Sequence, residues 1–235
     1  MSADQDATGV ETGRHSSIAM RLAAVALLVA GTCYSSWVLE SVLNTGVDPA
    51  NSFLSELYAE GKPHRRAFAT AEQIAGAMAA FAAVCGLVRG PWRSWTTIGW
   101  LALLCFGAAT IADTLLPLRA CPPGRICGAG RELFPQLHQP HAFTSTLAVT
   151  SIAVAAFVLT GFARRSGCWP VVRTAGLAAL VVGILATLWM LVGDNLSGHF
   201  ALGIAQRVQV GSISLWMMAF AVALSSENTR GGAAD

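Results

Sequence analysis

Six apolar runs, at residues 22–39, 67–88, 95–116, 142–163, 171–192 and 208–224, account for most of this 235-residue chain. Each is close to the roughly 18–20 residues that a helix needs to cross a hydrocarbon core about 30 Å thick. The expected fold is therefore an all-α membrane protein, a six-transmembrane-helix bundle. Glu40, Glu72, Asp113, Asp194, His199 and Arg207 lie near the ends of these runs, and all those ends point the same way. Charge inside a membrane is expensive, so polar groups gathered on one side suggest a cavity open to that side.

Composition excludes several classes. Hydrophobic residues make up 54% and charged residues 12% of the chain, against about 25% charged in a soluble domain. A net charge of +2 with dispersed arginines leaves no footprint for nucleic acid. There is no solenoid repeat, no Gly-rich phosphate loop and no spacing typical of a structural zinc site. Residues 1–17 and 226–235 are small, polar and rich in Gly and Ala, and disorder is expected there, on either side of a transmembrane domain at 18–225. The first run is longer than the usual signal-peptide core of about 7–15 residues and lacks a small-x-small cleavage site. Ala30-Gly31-Thr32-Cys33 is a poor lipoprotein box. That run reads as a retained helix.

Short arginine-bearing loops stay cytoplasmic. Arg89 and Arg93 bracket the connection after the second run, Arg164, Arg165 and Arg173 surround the one after the fourth, and Arg14 and Arg21 precede the first. Both termini are thus expected inside, with the connections near 41–66, 119–140 and 194–207 outside. Trp92, Trp95 and Trp169 then fall at the inner interface and Trp37 at the outer one, as an aromatic belt requires. Cys121 and Cys127 share the second outer loop across a Pro-Pro-Gly turn, where an oxidising compartment favours a disulfide. Cys33, Cys85 and Cys105 read as small packing residues within spans.

The first outer loop carries the best-organised segment. Asp48-Pro49 suits a helix start, and Gly61 and Pro63 suit its end. Phe53, Leu54, Leu57 and Tyr58 would share one face of a short amphipathic interfacial helix at 49–60. It reads either as a structural lid or as the carrier of Ser52, Ser55 and Glu56 over a cavity mouth. In the second run Glu72 stands above Gly76, Ala79, Ala80 and Ala83, small residues that permit close helix packing. In the third, Thr110, Asp113 and Thr114 form one stripe. Each carboxylate alone could be an interfacial anchor; together they suggest a shared site.

His138 and His141 stand three apart before the fourth run, and His199 lies in the last outer connection. These three are the candidate zinc ligands, with Glu72, Asp113 and Asp194 as companions. They read equally as an anion site at a helix N-terminus or as hydrogen-bonded interfacial anchors. No cofactor is established by the sequence. Arg207 is expected to pair with Glu72, Asp113 or Asp194, or with a bound anion.

The segments Asp48-Pro-Ala-Asn-Ser-Phe-Leu-Ser-Glu56-Leu57 with its Gly61-Lys-Pro turn, the His-bearing approach to the fourth run, and Gly203-Ile-Ala-Gln-Arg207 together resemble a bacterial membrane family known as domain-of-unknown-function family 998. The resemblance spans most of residues 21–225 and implies a six-helix integral membrane protein; it brings no activity with it, and the plasma membrane is the expected location. The Cys121–Cys127 loop does not belong to that pattern. The layout is more distantly similar to membrane hydrolases of the ceramidase and receptor-like superfamily, which use a Ser, an Asp and a three-His zinc site. This chain lacks their histidine in the second helix and the His-x-x-x-His pair in the last.

The leading functional expectation is a lipid or other amphiphile held in a cavity open to the outer leaflet, with Ser55, Glu56, Glu72, Asp113, His141 and Arg207 at its polar end. The alternative is a hydrolase of an outer-leaflet lipid, in which His138, His141 and His199 hold a metal or serve as base. A transporter, or an accessory subunit bound to a membrane-protein partner, is the third. Transporters carry ionisable groups at mid-membrane and interrupted helices, and the inner halves of these six runs have neither.

Overall fold

The computed structural model describes residues 3–89, 94–117, 140–194, 196 and 200–231, with side chains described between residues 18 and 226. Among these residues, six helices are long and apolar enough to cross a membrane: α1 (Ala3–Tyr34), α2 (Arg65–Arg89), α3 (Ser94–Leu115), α4 (Pro140–Ser166), α5 (Leu177–Asp194) and α6 (Leu202–Gly231). Each expected apolar run overlies one of them. The helices pack in the order α5–α6–α1–α2–α3–α4, and α4 returns to α5 chiefly near a π-helical segment, Val172–Gly176, that leads into α5. The end holding the α1–α2, α3–α4 and α5–α6 connections is called the loop end below.

Lipid is as apolar as leucine, so helices in a bilayer associate through close packing rather than by escape from solvent. Small residues supply that closeness here. A methyl group on Gly76 of α2 would sit 2.7 Å from the Gly107 carbonyl of α3, and one on Gly107 would strike the Gly76 carbonyl in return. The α1–α6 seam is similar, with the Gly31 position 2.9 Å from the Ser214 carbonyl. Ala75, Ala79, Ala82 and Ala83 are buried along α2. α6 is the most buried span and α5 the least, with Val181, Leu185, Leu188 and Val192 exposed on α5 where lipid chains would lie.

The end away from the loops is filled by rings. Phe220 of α6 has Trp100, Trp169 and Trp216 around it at centroid distances of 5.2, 5.0 and 5.3 Å. Arg165 lies 5.6 Å over the Trp95 ring, a cation–π contact at the end of α4.

The first connection differs from the expected amphipathic helix at 49–60. Two 3-10 segments stand there, Ser36–Ser41 and Leu54–Tyr58. The expected cap does form: Asp48 accepts bonds from the Ala50 amide at 2.9 Å and from Asn51 Nδ2 at 2.8 Å. Those bonds, Asn51's first, hold the Asp48 carboxyl below its ordinary pKa. The helix does not continue because its backbone is spent elsewhere. The Ala50 carbonyl accepts from the Ile204 amide, and the Leu54 amide donates to Gln206 Oε1 at 2.6 Å. A segment that bonds sideways to α6 cannot also close its own i→i−4 ladder. Leu54, Ser55, Leu57 and Tyr58 are consequently buried, and the segment seats itself in the bundle rather than lying on the interface.

Candidate functional site: an acidic chamber at the loop end

Two constructions meet at the loop end. The first is a clamp around Arg207. Its guanidinium faces the Glu40 carboxylate with both prongs, Nε on Oε1 and Nη2 on Oε2 at 2.6 Å. Nη1 donates to the Ser52 and Gly203 carbonyls at 3.0 and 2.9 Å. The side chains of Arg207 and Glu40 are 8% and 7% exposed, so this is a buried bidentate pair with four of the five guanidinium N–H donors used, the geometry that makes burial of charge tolerable. Glu40 is thus the partner, rather than Glu72 or Asp113; the Asp194 side chain lies outside the described residues. The loop can come this close because residue 203 is glycine: a methyl there would lie 2.6 Å from both the Pro49 and Ser52 carbonyls.

The second is a cage around Asp113. Tyr58 Oη donates to Oδ2 at 2.7 Å, while Thr144 and Ser145 of α4 donate to Oδ1 at 2.6 and 2.7 Å. His141 Nδ1 lies 3.3 Å from Oδ1 and 3.1 Å from the Leu116 carbonyl. Both neighbours of Nδ1 are acceptors, so the proton belongs on that nitrogen. Burial, followed by the charges of Asp113 and Glu72, pushes the Tyr58 hydroxyl well above the usual tyrosine pKa, which keeps it a donor. The loop is pinned from both ends, by Arg207 at Ser52 and by Asp113 at Tyr58.

Between clamp and cage lies a cavity of about 60 Å³, room for a few water molecules. Tyr34, Ser55, Tyr58, Glu72, Thr110 and Asp113 line it, with Gln206 and Gln209 of α6. The structure therefore brings Glu72 of α2 and Asp113 of α3 together with Ser55 of the first loop. Glu56, His141 and Arg207 are outside the lining. Glu56 Oε1 instead accepts the Phe53 amide at 3.0 Å, a local cap, and His141 reaches the chamber only through Asp113.

A second, apolar cavity of about 40 Å³ lies in the cleft between α4, α5 and α6. It shares Val149 and Gln209 with the chamber, so these two side chains are the partition between the polar space and the cleft. Gln209 Nε2 donates to Thr187 Oγ1 of α5 at 2.6 Å, tying the partition to the outermost helix. Beyond these, a broad groove of about 630 Å³ runs past Trp37, Val182, Arg207 and Leu215, and ordinary bilayer chains would fill it.

His138, His199 and the Cys121–Cys127 pair lie outside the described residues. Among the described residues no three His, Cys, Asp or Glu side chains converge on a metal position. The residues that sequence reasoning missed are Glu40 as the arginine's partner and Tyr34, Thr144 and Ser145 as chamber or cage groups. Two of them carry a legible signal: Thr144 and Ser145 fall one turn beyond His141, on the same stretch of α4.

Six spans, a docked loop and a small acidic chamber define a multi-pass integral membrane protein. Within that class, the sequence model of the family described as protein of unknown function (DUF998) matches residues 22–223, and the chain belongs to this family. No curated protein and no solved structure matches the chain. The segments that carry the family resemblance, 48–57 and 203–207, are each other's binding partners across the clamp.

Proposed function

We propose that the protein binds an amphiphile, with the polar head in the acidic chamber and the chain leaving between α4 and α5 into the bilayer. The observation that carries this reading is the shared wall: Val149 and Gln209 face both the polar chamber and the apolar cleft. A head group and a chain need two such compartments in contact. Support for a lateral route comes from α5, which is the least buried span and meets α4 mainly near the π-helical segment. Arg164, Arg165 and Arg173 at the opposite end favour a cytoplasmic position for that end, which directs the chamber to the outer leaflet of the plasma membrane.

The test is lipid analysis of protein purified in a mild neutral detergent, wild type beside Val149→Trp, which narrows the passage with a larger apolar side chain. The wild type should retain one amphiphile class enriched over the bulk membrane, and Val149→Trp should lose it while melting at nearly the same temperature. Retention of nothing beyond bulk lipid, or equal retention by both proteins, contradicts the reading.

A further inference from the structure

The chamber's own chemistry narrows the head group. Its lining holds two carboxyls, Glu72 and Asp113, and no Lys, Arg or His. Asp113 is answered by three hydroxyl donors and by His141. Glu72 is not: among the described residues none donates a hydrogen bond to it, although Tyr34, Tyr58 and Thr110 line the same space. The Arg207 guanidinium lies outside the lining and is taken up by Glu40 and two carbonyls. A carboxylate facing a small space walled by protein without a countercharge is costly.

A second observation points the same way. Thr110 is 4% exposed, lines the chamber, and its hydroxyl has no partner among the described residues. Threonines in helices ordinarily turn back to their own backbone, as Thr114 does to the Ile111 carbonyl and Thr146 to the Ala142 carbonyl. Thr110 forgoes that bond and leaves its oxygen beside the space that Glu72 faces. Gln209 adds a third acceptor. With Nε2 committed to Thr187, its Oε1 is the end left for the partition.

We infer that the chamber recognises a primary ammonium head group, held by the Glu72 carboxylate with the Thr110 hydroxyl and the Gln209 carbonyl as further acceptors. An ammonium offers three donors on a single small centre, which suits three acceptors in a cavity sized for a few waters. A phosphate or carboxylate head would bring like charge to Glu72 and Asp113 and would find no cation in the lining. A quaternary ammonium would offer no donor to any of these oxygens. The inference rests on the amphiphile reading above and adds the head-group class to it.

Dodecylamine, dodecanol and dodecanoate share a chain and differ only in the head, so binding of each to the full-length protein in zwitterionic nanodiscs separates the two levels. The amine should bind at least about tenfold more tightly than the alcohol, a gap of about 1.4 kcal/mol, and the carboxylate more weakly still. Glu72→Gln should abolish that preference, and Thr110→Val should reduce amine affinity several-fold without altering the melting temperature. The Thr110 variant decides the matter should Glu72→Gln fail to fold. Equal binding of all three probes overturns the ammonium inference and leaves the amphiphile reading standing. Binding of none overturns both. Amine preference unchanged in Glu72→Gln or in Thr110→Val overturns the site assignment.

Discussion

The two ends of the bundle solve the same packing problem with opposite materials. Away from the loops, Phe220 sits among three tryptophan rings, and stability there comes from dispersion and shape. At the loop end the bundle encloses a chamber, and hydrogen bonds to charged groups close it: Arg207 on Glu40, and Tyr58, Thr144 and Ser145 on Asp113. A missing ring leaves a cavity, whereas a missing clamp charge strands its partner, which must stay ionised in a low-dielectric site or take up a proton. The hollow end therefore concentrates both fragility and chemical potential for binding.

The largest effect should come from removing the clamp. Arg207→Ala leaves the Glu40 carboxylate buried and unpaired, at about 3–5 kcal/mol, and frees the Ser52 carbonyl from its donor. Thermal unfolding in detergent should show that loss, and the double variant Glu40→Gln, Arg207→Met should recover much of it. An Arg207→Ala protein as stable as the wild type would break the contrast between the two ends.

On the dry side, Phe220→Ala removes the ring that three tryptophans share, an expected cost of about 3 kcal/mol, read in the same melting experiment. Amphiphile retention should change little, since Phe220 lines neither the chamber nor the cleft. Loss of retained amphiphile in Phe220→Ala would show that the ends are not separable.

These contrasts bear on what the amino-acid pattern reveals. The six spans are legible because lipid imposes one requirement, apolarity over a fixed length, on every one of them. The meeting of Glu72 and Asp113 is legible too, because Gly76, Ala79 and Ala83 mark the face of α2 that must look inward. The partner of Arg207 was not legible. Glu40 stands 167 positions away in a 3-10 turn after α1, and which carboxylate meets the guanidinium depends on how the helices are rotated and how the first loop is threaded. The loop misled for a similar reason. Its 3.6-residue spacing of Phe53, Leu54, Leu57 and Tyr58 suits a helix, but tertiary bonds from Ile204, Gln206 and Arg207 took the carbonyls and amides the helix needed.

A smaller effect is expected at the α2–α3 seam that sets the chamber's floor. Gly107→Ala places a methyl against the Gly76 carbonyl, which cannot swing aside as a side chain can. The helices must part, at about 1–3 kcal/mol. Melting should fall modestly, and the chamber should open enough to weaken head-group selectivity; an unchanged melting temperature would mean that the seam is looser than its geometry.

The mildest test concerns Tyr58, one of two tyrosines in the chain with Tyr34. Its hydroxyl is held well above the ordinary tyrosine pKa of about 10 by burial and by the Asp113 and Glu72 charges. A group whose folded pKa is raised binds its proton more tightly when folded, so its contribution to stability is complete below about pH 10 and declines as pH rises through that value. In Tyr34→Phe, ultraviolet titration should show no tyrosinate near pH 10 while the protein remains folded. Tyrosinate forming there in folded protein would place Tyr58 outside the cage.

The most direct test of the account is an experimental density map of the protein in lipid nanodiscs, read at the partition between chamber and cleft. The account predicts continuous density from Glu72, past Val149 and Gln209, into the space between α4 and α5, with Arg207 closed on Glu40. A chamber holding only separate waters, with Glu72 bonded to a neighbouring side chain and the cleft packed shut, would contradict it.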